Sequence, residues 1–387
     1  MDKKTVYAFL LIIFIVLSCA TANDNLTEST VNNAENYDAV NASAVIKEIN
    51  AGKITQPDPV MVYYEGDLFN IFFHGLIAWP EIGFTGSMKQ FFLDWYVTAD
   101  EFKKILQELY AADYVLVDIK EFYNVTYVNG KKKVTANKLL IPKGKKPMVL
   151  SIDDLSYYEI VRENGSVHKL VIDEKEDIAA WTAGANGGEI SYDKDIVTII
   201  EAFIKQHPDF SVRGAKGIIA LTGYEGVLGY QTHTGFTGTT GRPTNIDDPF
   251  FKKEVEDAIP VVNRLKELGW RFASHSWGHL NMPNIPMSWF TNDNTRWDRE
   301  VKPILGETDI YIYPFGAGVE SQEEKHKILR NKNFNVFLGV GDGFGHSERG
   351  EYIYINRRNI DGTYFRLFKN RQNKLFDIEK VIDKRYR

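Results

Sequence analysis

The sequence predicts an α/β fold in which parallel strands are gathered into a barrel. Two observations carry this. Short apolar runs of strand length alternate with amphipathic helical stretches along most of the chain. Polar clusters then recur directly after the strand runs, at Asp153/Asp154, His275/His279, Tyr313–Gly316 and Asp342. A parallel barrel gathers such strand ends on one face, the face where barrel folds build their sites.

The 387 residues are 44% hydrophobic and 25% charged, enough for one large core or two modest ones. A net charge of −6 argues against a nucleic-acid partner. The N-terminus reads as a targeting segment over residues 1–19. Lys3 and Lys4 precede an apolar run from Val6 to Leu17, which is shorter than the ~20 residues of a membrane span. Cys19, the single cysteine, ends Val16-Leu17-Ser18-Cys19, which resembles a bacterial lipobox in which the cysteine is lipidated. The alternative is a plain signal peptide or an uncleaved anchor. Either way an exported protein is expected, with a membrane partner where the anchor stays. Residues 20–56 are rich in Asn, Thr, Ser and Ala and read as a flexible tether. Residues 57–387 form the folded body.

In chain order, Met61–Tyr64 and Asn70–Phe73 are expected strands, the second ending at His74. Thr98 and Glu101 form a capping-box pair ahead of Phe102, Ile105, Leu106 and Leu109, which share one helical face. Tyr114–Val117 is the next strand. Asn129-Gly130 and Asn164-Gly165 mark two hairpins. Pro147–Ile152 delivers the acidic pair. A helix starts at Asp193 or Asp195, and Gly217–Leu221 follows as a strand. Lys252–Leu268 is a long amphipathic helix, and Trp270–Ala273 delivers His275. Ile310–Tyr313 and Val336–Val340 are strands around a charged helix, Glu320–Lys332. Tyr352–Ile355 and Tyr364–Phe368 read as late strands.

Adjacent carboxylates at a strand end repel each other unless a cation offsets them. With eight histidines in the chain, one i,i+4 spacing is weak by itself, and two polar histidines capping a strand end would explain it. Combined with the acid pair, two histidines and one carboxylate make a facial metal set with open positions. The second carboxylate is then free to act as base, a constellation suited to hydrolysing an acyl bond.

Residues 57–387 resemble polysaccharide deacetylases of carbohydrate esterase family 4. The family's T-F-D-D motif is matched by Ser151-Ile152-Asp153-Asp154. Its H-[ST]-x-x-H motif is matched by His275-Ser276-Trp277-Gly278-His279, about 120 residues later. Its R-x-P-[YF]-G motif is matched by Ile312-Tyr313-Pro314-Phe315-Gly316 except at the first position. The resemblance implies a distorted (β/α) barrel of about seven strands. It implies Asp153 as base, Asp154, His275 and His279 as ligands of a divalent metal, commonly Zn2+, and the Phe315 amide as oxyanion donor. The expected reaction removes N- or O-linked acetyl groups from a glycan such as peptidoglycan or an N-acetylglucosamine polymer.

Two departures accompany this. Ile312 stands where the family's arginine orients the base, and Arg357, Arg358 or Arg366 could reach in from another strand. The family's late acid histidine is also missing. His346 or His74 could take that place, although a loop or capping histidine explains either one. Tyr224, Tyr230, Trp277 and Tyr313 are candidates for a sugar groove, ordinary packing being the alternative. A non-catalytic glycan-binding lipoprotein on the same fold is the rival reading.

Overall fold

The computed structural model describes residues 59–184, 187–235, 245–372 and 375–387. The chain divides into Met1–Val60 and Met61–Arg387, and the second unit holds every element named below. The targeting segment, Cys19 and the 20–56 tether lie outside the described residues. Among the described residues no helix is long and apolar enough to cross a membrane.

Seven strands close into a parallel barrel: β1 (Phe69–Phe73), β2 (Lys146–Ile152), β3 (Ile218–Leu221), β4 (Arg271–Ser274), β5 (Ile310–Ile312), β6 (Val336–Val340) and β7 (Ile353–Asn359). They neighbour one another in chain order, and β7 returns to β1 through Arg358↔Ile71 and Asn359↔Phe72. Two seams distort the ring. β2 meets the outer strand Tyr114–Leu116 along its first residues and β3 only at Ser151 and Ile152. β7 pairs with the antiparallel strand His346–Glu348 low down and with β1 near its end.

Strand alternation decides what faces the lumen. Val149 of β2, Ile218 and Ala220 of β3, Ala273 of β4, Ile310 and Ile312 of β5, Val336 and Leu338 of β6, and Ile353 and Ile355 of β7 form one buried cluster. Leu68, Ile119, Phe122, Val134 and Ile141 join it from segments outside the ring. Residues of opposite parity, including Ile71, Phe73, Leu150, Ile152, Ile219 and Leu221, pack outward under the helices.

Those helices are α1 (Ala99–Ala111), α2 (Ile196–Gln206), α3 (Pro249–Glu267), α4 (Met287–Arg296), α5 (Glu323–Asn331) and α6 (Gly362–Phe368). The capping box forms as expected: Glu101 N–H donates to Thr98 Oγ1 at 3.0 Å, and Thr98 N–H donates to Glu101 Oε2 at 2.9 Å. α3 starts at Pro249 behind an Asp248 cap and carries Pro260 inside it.

Two local expectations are corrected. Tyr364–Phe368 is not a strand, because the Asp361 carboxylate caps the Tyr364 amide at 2.9 Å and starts α6. Asn164-Gly165 does not turn a hairpin. Glu159–Arg162 is a helical turn, and Lys169–Ile172 pairs instead with Ile178–Gly184. The Asn129-Gly130 hairpin is present, joining Tyr123–Val128 to Lys131–Ala136.

Candidate metal centre and catalytic site

Continuing each strand's alternation by one step brings the polar residues together. On β2, Val149, Ser151 and Asp153 share the lumen parity. On β4 it is Ala273 and His275, on β1 Asn70, Phe72 and His74, on β7 Ile353, Ile355 and Arg357. The apolar lumen therefore ends at its C-terminal mouth in a layer of ionisable groups.

Asp153 is 3% exposed and Arg357 1%. Arg357 Nη1 donates to Asp153 Oδ1 at 2.7 Å and Nη2 to Oδ2 at 2.9 Å, a bidentate pair. Nη1 also donates to Ser151 Oγ at 2.9 Å, and the guanidinium lies 4.3 Å from the centre of the Phe72 ring. Burial pushes the Asp153 carboxyl up. The Arg357 guanidinium, through its charge and its two hydrogen bonds, leads the groups that outweigh it and hold the carboxyl below the usual carboxylate value, so Asp153 is ionised. Of the three arginines considered, Arg357 is thus the one that reaches Asp153. Arg358 lies outside, its guanidinium 4.9 Å from the Phe368 ring centre, and Arg366 pairs with Asp94 at 2.7 Å.

Among the described residues, Asp154, His275 and His279 form a three-residue group that could hold a metal ion: one ligand atom from each lies within 4.8 Å of the other two. Asp154 adopts a left-handed backbone, φ 59°, which an aspartate tolerates. Its Oδ2 lies 3.5 Å from His279 Nε2, and its Oδ1 accepts from the Tyr158 hydroxyl at 2.6 Å. The Tyr158 oxygen also contacts Thr222 Oγ1 at 2.6 Å, and Thr222 Oγ1 lies 3.1 Å from Ser156 Oγ. His275 Nδ1 lies 2.8 Å from the Ile312 carbonyl. A carbonyl only accepts, so Nδ1 carries a proton, and in the neutral ring Nε2 is then the nitrogen with the free lone pair. That nitrogen lies 4.0 Å from both Asp154 Oδ1 and Asp153 Oδ2. Burial lowers the His279 imidazole below its ordinary value, against the pull of Asp154, which keeps it neutral and ligand-competent. The donor set, one carboxylate and two neutral imidazoles, fits a divalent ion such as Zn2+.

Between the histidines the chain makes no helical turn. Ser276 and His279 take φ 61° and 48°, and the loop doubles back. The Asp293 carboxylate of α4 accepts Trp277 N–H at 3.0 Å and Gly278 N–H at 2.7 Å. Burial pushes Asp293 up to about 6 despite those two bonds. Trp277 is buried, its indole N–H donating to Glu300 at 3.0 Å beneath the Arg296 guanidinium.

His74 Nδ1 lies 3.0 Å from the Trp95 carbonyl and donates to it, which leaves Nε2 outside that bond. His346 does not join this layer. It pairs with Ile355 on the strand that fills the low part of the β7–β1 seam, with its ring edge on Phe122, 5.0 Å between centres.

Phe315, φ 58°, is 64% exposed and sets its ring edge on His279 at 4.5 Å between centres. Three of the four sugar-groove candidates are corrected by burial. Trp277 and Tyr230 are core residues, and Tyr313 has the outward parity of β5 and stacks on Phe337 at 5.7 Å. Tyr224 remains beside the site, stacked on Tyr158 at 4.5 Å. His233 and His326 are buried as well.

No known family profile matches the sequence, and no curated protein does. Solved structures do. What the chain is similar to is a set of polysaccharide deacetylases. BC0361, a polysaccharide deacetylase from Bacillus cereus, is 11% identical with TM-score 0.42, over 82% of this chain and 69% of that one. A de-N-acetylase from Aggregatibacter actinomycetemcomitans is 12% identical with TM-score 0.42, over 82% and 100%. The Streptococcus pyogenes deacetylase PplD, in complex with acetate, is 14% identical with TM-score 0.40, over 77% and 92%. Likeness at that level carries no argument about chemistry, which rests on the residues above.

Proposed function

We propose that this protein is a metal-dependent hydrolase that removes acetyl groups from a glycan. One observation carries the reading. An ionised carboxylate, Asp153, is clamped by Arg357 beside a separate carboxylate–imidazole set, Asp154, His275 and His279, that fits a divalent ion. Two adjacent aspartates thereby take different tasks. Zn2+ is the favoured occupant, and it supplies Lewis acidity toward an acyl oxygen and toward water.

The chain's own residues then divide the work. Asp153 accepts the proton of the attacking water. The water oxygen bonds to the acetyl carbon, and the Phe315 amide donates to the oxyanion that develops. The bond from carbonyl carbon to the sugar nitrogen breaks. His74, oriented through Nδ1 by Trp95, gives the leaving amine its proton from Nε2. The products are acetate and a free amino sugar; an O-acetyl substrate leaves an alcohol by the same steps. Arg357 also weakens the rival reading of a binding protein without turnover, which drew on the arginine missing at Ile312.

The substrate in this reading is an acetylated cell-surface or extracellular glycan, peptidoglycan or an N-acetylglucosamine polymer, met outside the cytoplasm by a protein tethered through Cys19. Acetate release from a panel of these glycans, with the metal content of the same preparation, tests the activity. Release from none of them would remove it. Loss of membrane association in Cys19→Ala tests the tether, and unchanged association would remove that.

A further inference from the structure

The loop from His275 to His279 is held from outside, and its anchor is Asp293. Two of its residues, Ser276 and His279, sit in the left-handed region, a conformation that costs an ordinary residue free energy wherever the surroundings do not impose it. His275 has its own side-chain anchor, Nδ1 to the Ile312 carbonyl. The His279 ring meets the His275 and Phe315 rings, Phe315 being itself mostly exposed, and its Nε2 faces Asp154 Oδ2 at 3.5 Å. The direction of His279 is thus set mainly by the path of the loop backbone.

That path is fixed at its middle. Asp293, 3% exposed, uses both carboxylate oxygens on the consecutive amides of Trp277 and Gly278. From the opposite side, the Trp277 carbonyl accepts the amides of Gly223 and Tyr224, both at 2.8 Å. Gly223 has no room for a side chain: a Cβ there would lie 2.1 Å from the Trp277 indole. The loop is gripped between the segment after β3 and helix α4, with Asp293 as the side-chain half of the grip.

We propose that Asp293 is a positioning residue for the metal centre: it sets the approach of His279 to Asp154 without touching either. The inference rests on the metal reading above. It reaches further by assigning the affinity of the site to a residue on a helix that contributes no ligand.

The test uses the purified protein, stripped with chelator and reloaded with Zn2+ or Co2+. Asp293→Ala removes both acceptors, and Asp293→Asn keeps one. Zn2+ affinity, measured by competition with a chromogenic chelator, is expected to fall roughly 10–100-fold in Asp293→Ala and less in Asp293→Asn, the range typical of lost outer-sphere support. The visible absorption of the Co2+ form is expected to change in shape and intensity, since it reports the arrangement of ligands. A general loss of folding would not produce that graded series. The thermal midpoint of the stripped proteins, and the metal-bound to stripped difference for each variant, separate the two effects. Zn2+ affinity within twofold of wild type in a folded Asp293→Ala protein, with an unaltered Co2+ spectrum, would overturn the proposal. A wild-type protein that binds neither ion would overturn the metal reading and this inference together.

Discussion

Arg357 holds both carboxylate oxygens of Asp153, at 2.7 and 2.9 Å, from a position 204 residues further along the chain. The pair is buried, so each charge depends on the other. Removing one partner of such a pair leaves the other desolvated and unmatched. Arg357→Ala is expected to lower unfolding stability by about 3–5 kcal/mol, read as a shift in urea midpoint. Arg357→Lys restores the charge but not the fork, and recovers part of the loss. A folded Arg357→Ala protein of unchanged stability would mean that water or another cation serves Asp153.

Asp153 and Asp154 are assigned unequal tasks, and substitution should separate them. Asp153→Asn is expected to cut acetate release by roughly 10²–10⁴-fold while the protein keeps its bound metal. Asp154→Asn is expected to lose both metal and activity. Metal analysis beside the rate assay checks this, and equal metal loss in the two variants contradicts the division.

His74 is assigned the proton given to the leaving nitrogen. An amine leaves poorly without that proton, whereas a nitrophenolate leaves well without it. His74→Gln is therefore expected to slow N-acetyl hydrolysis by about 10²-fold or more and to leave 4-nitrophenyl acetate hydrolysis within a few-fold. His346→Ala, whose ring rests on Phe122, is expected to change neither rate. Equal losses on both substrates in His74→Gln would point to a structural role for that imidazole.

His326 gives a pH signature unrelated to the metal. It is buried between the Phe337 and Tyr352 rings, and desolvation lowers it to about 4. The unfolded chain takes up this proton near the ordinary value of about 6.5, the native state only near 4. The contribution is therefore fully present above about 6.5 and is lost as pH falls toward 4, at most about 3 kcal/mol at ~1.4 kcal/mol per pH unit. Asp195 and Asp293, each raised to about 6 by burial, act in the opposite direction over their own window. The difference between wild type and His326→Leu in urea midpoint, from pH 7 to pH 4, isolates the histidine. Parallel profiles would show that the imidazole protonates in place.

The parts of the site legible in the sequence are those in which chemistry is unusual for its place. Two acids at the end of an apolar strand are costly without a partner, and a histidine pair at the end of another strand supplies one. The barrel is legible for the same reason, since the polar clusters follow the strands. Arg357 is harder to place. The sequence reading ends the strand from Tyr352 at Ile355, and only two more residues of alternation bring Arg357 into the lumen and leave Arg358 outside. Continuing the parity of Ile353 and Ile355 was the signal available. Tyr158, Thr222 and Asp293 carry no such signal, because their roles arise from where loops fold back. Tyr313 shows the converse: one residue beyond β5, its parity turns a motif aromatic into the core.

The central claim is that the Asp154, His275 and His279 centre, with Asp153 beside it, hydrolyses acetyl groups from a glycan. The most direct measurement is acetate release from an N-acetylglucosamine oligomer by purified wild-type protein, chelator-treated protein, and treated protein resupplied with Zn2+. The expected result is turnover, its loss on chelation, and its return with the ion. Turnover that persists at full rate after the metal is removed would contradict the account.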